Sequence, residues 1–162
     1  MSKSKISIST ITYKKKEDIR ILNSCLSNWF TDPKILHFVH PEMAYPFKIE
    51  RWISLSYLHK TSTLILKDHN WIIGHLSIRK NKESKSAHIF HLIIDPNYQR
   101  EGYAKKLISH AEKMIMENNI NKITINVMKK NQIAKRLYND LGYLDISINR
   151  SGKIKMEKDF LN

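Results

Sequence analysis

Cysteine is nearly missing from this sequence: Cys25 is the one thiol in 162 residues. A lone thiol rules out an internal disulfide and any cysteine-rich zinc framework, which makes a reducing compartment the simplest expectation. Long apolar runs are missing too, since no stretch approaches the roughly 18 apolar residues of a membrane span. Met1 to Ile11 alternates Lys and Ser with Ile and lacks the apolar segment and small-residue cleavage site of a secretory signal. A soluble, cytoplasmic protein is expected, with no membrane partner. Linkers, low-complexity tracts and repeats are also missing, so residues 1–162 read as one domain. Acidic residues are scarce: 15 Asp and Glu face 28 Lys and Arg, a net charge of +13. That excess favours anionic partners, and charge alone does not choose among nucleic acid, a membrane surface and a phosphorylated small molecule.

What remains is a globular composition, 41% hydrophobic and 27% charged, in a chain long enough to hold a core and an interior cleft. Ile6, Ile8 and Ile11 alternate with polar residues, as in a strand. Ile19, Leu22, Leu26 and Trp29 then recur at helical steps and stop near Thr31-Asp32-Pro33. A second helical stretch runs from about Phe47 to His59, with Ile49, Trp52, Ile53 and Leu58 on its apolar side. Three β-rich runs follow, Thr63 to Lys67, Trp71 to Arg79 and Ala87 to Ile94. The polar segment Asn81 to Ser86 joins the last two as a hairpin.

The most informative segment is Ile93-Ile94-Asp95-Pro96 and the loop after it, Asn97-Tyr98-Gln99-Arg100-Glu101-Gly102-Tyr103-Ala104-Lys105. Beyond it Leu107, Ile108, Ala111, Met114 and Ile115 repeat at helical spacing, while Lys105, Lys106, His110, Glu112 and Lys113 face away. A buried strand thus feeds a glycine-containing loop that opens an amphipathic helix. Such a junction aims unpaired N–H groups and the positive end of the helix dipole at one point, where an anion, most naturally a phosphate, belongs. A glycine before a helix can equally be a plain cap. Next come a β-rich run, Lys122 to Val127, and a helix opened by Asn131 with Ala134, Leu137, Tyr138 and Leu141 on one face. Gly142 is placed to end that helix in the left-handed conformation. Tyr143 to Ile148 and Lys153 to Phe160 read as final strands, the latter with Ile154, Met156 and Phe160 facing inward.

Gln99, Gly102 and Ala104 fit the pattern Gln/Arg-x-x-Gly-x-Gly/Ala. Asn131, Tyr138 and Leu141-Gly142-Tyr143 fit a second pattern, an Asn opening a helix, a Tyr seven residues on and a closing Leu-Gly-Tyr/Phe. Two motifs in this order resemble the GNAT superfamily of acyl-CoA-dependent N-acyltransferases over roughly Ala87 to Ile148. The resemblance implies an α/β fold: a twisted, mostly antiparallel mixed sheet of six or seven strands with a splayed parallel pair and about four helices. It also implies transfer of an acetyl group from acetyl-CoA to a primary amine in a direct ternary complex. Main-chain groups of Leu92, Ile93 and Ile94 would pair with the pantetheine arm. Amides of Arg100, Glu101, Gly102, Tyr103, Ala104 and Lys105 would hold the pyrophosphate, after Gln99 opens the loop. Asn131 would bond the arm, and Tyr138 would protonate the departing thiolate. A homodimer is common in the family.

The family's usual Glu on the strand before Asn131 corresponds to Asn126, which cannot accept a proton at neutral pH. An alternative base position, eleven residues before Gln99, holds His88, whose imidazole can take a proton near neutrality. His91, three residues on, is expected on the opposite face of the strand. Trp29, Phe30, His37, Phe38, His40, Tyr45 and Phe47, with Asp32, Glu42 and Glu50 among them, are expected over the acceptor end of the cleft or as a cap on the core. Two other functions fit the residues. Lys3, Lys5, the basic runs Lys14 to Lys16 and Lys129-Lys130, and Arg136 suit a nucleic-acid or ribosome-binding module, and Asn126 suits an acyl-CoA sensor without turnover.

Overall fold

The structure is a computed structural model that describes residues 3–161; Met1, Ser2 and Asn162, the outermost positions of the expected 1–162 domain, lie outside the described residues. Among the described residues seven strands form one sheet in the order β1-β2-β3-β4-β5-β7-β6. They are β1 (Ile6–Ile11), β2 (Ser62–Asp68), β3 (Trp71–Asn81), β4 (Ser86–Ile94), β5 (Lys122–Met128), β6 (Leu144–Ile148) and β7 (Lys153–Asp159). Every neighbouring pair is antiparallel except β4 with β5, which is parallel. The mixed sheet is as expected. Helices number five among the described residues, rather than about four: α1 (Lys16–Trp29), α2 (Pro33–Val39), α3 (Ile49–Leu58), α4 (Tyr103–Met116) and α5 (Gln132–Asp140). The addition is α2, whose seven residues are too few to show a helical period. Its start is nonetheless well specified, because Asp32 accepts the Lys34 N–H at 2.8 Å and Pro33 occupies the first turn.

Each face of the sheet buries its own core. On one, Leu107, Ile108, Ala111 and Ile115 of α4 pack on Leu64, Leu66, Leu76, Ile78 and Ile89, joined by Tyr138 and Tyr143. On the other, Leu22, Leu26 and Trp29 of α1, Leu36 of α2 and Trp52 of α3 cover Ile65, Ile72 and Ile93. Strand β2 buries Leu64, Ile65 and Leu66 in succession because it is covered on both faces. Edge strand β6 differs: Leu144, Ile146 and Ile148 are all exposed. No helix among the described residues is long and apolar enough to cross a membrane.

Two expectations about side-chain direction are corrected. Leu58 is 73% exposed, because six residues past Trp52 a helix has turned the chain to another face. Glu112 is buried at 8% exposure rather than facing away. It accepts the Tyr143 hydroxyl at 2.9 Å and the Lys158 ammonium at 3.2 Å, and this pairing makes burial of a carboxylate tolerable. The contact ties the middle of α4 to β7 and to Tyr143, three residues past the end of α5. Glu112→Ala should therefore cost about 3 kcal/mol by leaving Lys158 and the Tyr143 hydroxyl without their acceptor, and Glu112→Gln should cost less. Urea unfolding of the two variants checks this, and equal stability of Glu112→Ala and wild type would contradict it.

Candidate functional site

Strand β4 contains the decisive irregularity. Ser77 pairs with Phe90 and His75 with Ile93, so His91 and Leu92 together stand opposite Leu76. His91 takes a φ of 52° to make this bulge, and the extra residue resets the alternation of side chains. His91 therefore does not face away from His88. Its ring stacks on Trp52 at 4.0 Å and meets Phe90, which in turn stacks on His88. Leu92 and Ile94 point to the α4 core and Ile93 to the Trp52 core.

The parallel pairing of β4 with β5 covers Ser86↔Lys122, Ala87↔Ile123, His88↔Thr124 and Ile89↔Ile125, and then stops. Both strands continue, to Ile94 and Met128, without pairing to each other. The bulge bends β4 at the point of parting. A V-shaped opening results, with main chain of Phe90 to Ile94 along one arm. Such an edge suits a ligand that carries amide groups of its own.

At the open end of the V, Asp95 fixes the start of the loop. Its carboxylate accepts the Asn97 N–H at 2.8 Å and the Trp29 indole N–H at 3.1 Å, and its own N–H donates to the Ile73 carbonyl. Gln99 donates its side-chain amide to the Ile94 carbonyl at 3.0 Å, so this residue braces the loop against the strand. Arg100 and Gly102 adopt φ of 65° and 83°, and Gly102 caps α4 without a capping side chain. The first N–H groups of a helix have no partner inside it. A Cβ built on Gly102 would meet nothing within 4 Å. An open, electropositive cradle formed by Gly102, Tyr103, Ala104 and Lys105 is the outcome, flanked by the exposed side chains of Arg100 and Lys105.

Asn131 caps α5 by accepting the Ala134 N–H at 3.3 Å, which leaves its side-chain NH2 group for another acceptor. Tyr138 lies on the buried face of α5, edge-on to Tyr143 at 6.3 Å. Its hydroxyl makes no hydrogen bond to any described residue. Burial pushes its ionisation up, so the O–H keeps its proton throughout the working pH range.

At the closed end of the V a cavity of about 740 Å³ is lined by Ala87 and His88 of β4, Thr124 and Asn126 of β5, Arg79 of β3 and Lys155 of β7, among others. His88 Nδ1 lies 2.8 Å from the Thr124 hydroxyl, which is itself 3.5 Å from the Ala87 carbonyl. With the hydroxyl proton directed to that carbonyl, Nδ1 carries the ring proton and Nε2 keeps a lone pair. Burial first, then the charges of Arg79, Lys155 and Lys153, pull the His88 pKa down to about 4. It is a neutral acceptor at physiological pH. Thr124 and Arg79 were not singled out from sequence, and Asp95 and Trp29 were named there without the contact that joins them. Arg79 was findable, because the Asn81 to Ser86 turn already sets it opposite His88.

The aromatic stretch divides between core and surface, and none of its residues lines that cavity. Trp29 and Phe30 are buried, and Phe30 packs with Phe47 and Trp52. His40 Nδ1 meets His91 Nε2 at 2.6 Å, while His37 and Tyr45 are exposed.

The fold that carries this opening is shared with acetyltransferases of known structure. The sequence model of the acetyltransferase (GNAT) family matches residues 24–143. The chain belongs to that family. A GNAT domain from S. lividans superposes with a TM-score of 0.76 at 15% identity, over 94% of this chain and 89% of that one. A spermidine N-acetyltransferase from Vibrio cholerae, in complex with CoA and spermine, does so with a TM-score of 0.74 at 20% identity, over 97% and 98%. In sequence, the chain is 34% identical over 65 residues to the [ribosomal protein bS18]-alanine N-acetyltransferase of Haemophilus ducreyi. That match covers 40% of this chain and 45% of the relative, less than half of either protein.

The histidines behind the bulge make the site acid-sensitive. His75 is fully buried, donates Nδ1–H to the His91 carbonyl at 2.8 Å and has its pKa lowered by burial to about 4. Its Nε2 is the enclosed side-chain atom left without a partner among the described residues. Burial lowers His91 as well. A folded-state value below the unfolded one means that the unfolded chain binds more protons, so stability is complete above about pH 6.5 and is lost as pH falls toward about 4. For His75 the loss should reach about 2 kcal/mol at roughly pH 5. Denaturation midpoints between about pH 7 and pH 5 read it directly: a steep fall is expected, flatter in His75→Leu, and a pH-independent midpoint would refute it.

Proposed function

We propose that this protein is an acetyl-CoA-dependent N-acetyltransferase that acetylates a primary amine in a direct ternary complex. The observation that carries the reading is the V between β4 and β5, unpaired beyond Ile89 and ending on the amide cradle at Gly102. Family membership supports it, as does the CoA bound in the similar V. cholerae enzyme. One unit spanning residues 1–162 would carry the activity, since strands from both halves of the chain close the sheet.

The residues fit the cosubstrate. Amides from Arg100 to Lys105, with the Arg100 and Lys105 side chains, suit a pyrophosphate. Main chain at Leu92, Ile93 and Ile94, which has no partner on β5, suits a pantetheine arm with its two amides, and the spare NH2 of Asn131 gives a further donor. Bound acetyl-CoA supplies the activated acyl group as a thioester. A strand N–H from Leu92 to Ile94 would stabilise negative charge on the carbonyl oxygen as the amine attacks. His88 Nε2 would accept the proton that the amine sheds, directly or through a water. Tyr138 would donate its O–H to the departing sulfur. Asn126, exposed on β5, supplies no base, which places the demand on His88 and on orientation of an already neutral amine.

Calorimetric titration of acetyl-CoA, with ATP as a control for indiscriminate polyphosphate binding, tests the reading. Saturable one-to-one binding that ATP does not reproduce is expected, and absence of binding or equal binding of ATP would overturn it. Tyr138→Phe should lower kcat about 10²-fold while leaving acetyl-CoA affinity nearly unchanged; full activity in this variant would remove Tyr138 from the chemistry. His88→Ala should lower kcat/KM by about 10²-fold. Because the His88 pKa is held near 4, the base is unprotonated at every working pH. The wild-type profile of kcat/KM should follow ionisation of the amine, with no inflection at about 6.5. An inflection there would show that His88 titrates in the working range.

A further inference from the structure

The cavity at the closed end of the V is strongly and one-sidedly charged. Lys60, Arg79, Lys80, Lys82 and Lys155 line it against a single carboxylate, Glu83. None of these five cations forms an ion pair with a carboxylate among the described residues. They converge from separate places in the fold: the segment after α3, strand β3 and its turn, and β7. Arg79 stands directly opposite His88 across the β3–β4 ladder, with its guanidinium against the Phe90 ring at 5.9 Å. Lys155 stands opposite Asn126 across the β5–β7 ladder. A solvated basic surface needs no such arrangement around a concave site that holds a neutral imidazole.

These cations are not part of the pyrophosphate cradle. From His88 to Ile94 the strand alone extends roughly 20 Å at about 3.3 Å per residue, and the cradle lies beyond its far end. Two electropositive sites therefore occupy opposite ends of β4, with His88 beside the second. Like charges gathered around a concave site repel a cationic ligand and concentrate an anionic one. A polyamine brought to His88 would meet five positive charges and one negative.

Resting on the N-acetyltransferase reading above, we propose that the acceptor is a small primary amine that also carries a carboxylate or a phosphate, bound with its amine at His88 and its anion on Arg79 and Lys155. Proximity of the cations also helps to shed the amine's own proton, since a like charge disfavours an ammonium. The anion on the same molecule limits the electrostatic cost of entry.

Matched amines test this. Ethanolamine is compared with O-phosphoethanolamine, and 4-aminobutyramide with 4-aminobutyrate, with spermidine as the cationic control, in wild type and in the Arg79→Gln/Lys155→Gln double variant. In at least one pair the anionic member should exceed its neutral partner about tenfold in kcat/KM, and the advantage should shrink to about twofold in the double variant, with acetyl-CoA affinity unchanged by calorimetry. The pair that shows the advantage distinguishes phosphate from carboxylate. Titration of O-phosphoethanolamine and 4-aminobutyrate into CoA-saturated protein gives a reading that does not depend on turnover. No anion advantage in turnover and no binding that the double variant weakens would overturn the proposal, as would preference for spermidine. Failure of acetyl-CoA to bind the wild type would instead overturn the acetyltransferase reading.

Discussion

A hydrogen-bonding ladder that stops halfway organises this protein. β4 and β5 are paired for four residues and then diverge, and a parted ladder leaves main-chain donors and acceptors facing one another across a gap. Unpaired backbone groups inside a fold are costly unless something else satisfies them. Each neighbouring feature follows from that gap. The bulge at His91 bends β4 away, Asp95 locks the strand's far end to Trp29 and to the loop, and Gly102 lets the loop turn into α4 with its N–H groups exposed. Pulling the strands back together would close the site, while removing the bulge would rotate His91 into the other core.

Around the gap the molecule divides its polar chemistry by depth. Behind the bulge, His75 and His91 are neutral because they are buried, and their rings act chiefly as flat packing surfaces against Trp52. In front, His88 is only half-buried and keeps one nitrogen for the cavity, with Thr124 fixing the other. The same residue type thus serves as core and as candidate base within four positions of one strand. At the ends of β4 the division is by charge source: peptide dipoles at one, lysine and arginine side chains at the other.

Much of this was legible in the residues. The strand-loop-helix around Gly102, the α5 helix with its Asn131 cap and the left-handed Gly142 rest on local signals, a glycine where φ is positive and a capping side chain where a helix begins. What escaped was set by partners distant in sequence. Alternation placed His91 on the wrong face because a bulge is a property of two strands, not of one. Glu112 looked like a solvent residue because its partners, Tyr143 and Lys158, lie 31 and 46 positions away. Thr124 beside His88 depends on parallel register, which no turn announces. The seven residues of α2 were too short to carry a period. Net charge pointed to an anionic partner without location; the hairpin and the β5–β7 ladder supply the location by gathering cations around one cavity.

The strand order has a consequence for how the chain is made. β6 precedes β7 in sequence, yet it touches the sheet only through β7, which fills the place next to β5. During synthesis β6 emerges with no strand to join, and the outer edge of β5 stays bare until β7 has left the ribosome. Up to that moment the nascent molecule carries the bare edge of β5 and an unpaired β6 with its exposed Leu144, Ile146 and Ile148. The closing of the sheet thus waits for β7, and the interval before it is when a nascent copy is most exposed to pairing with a neighbour.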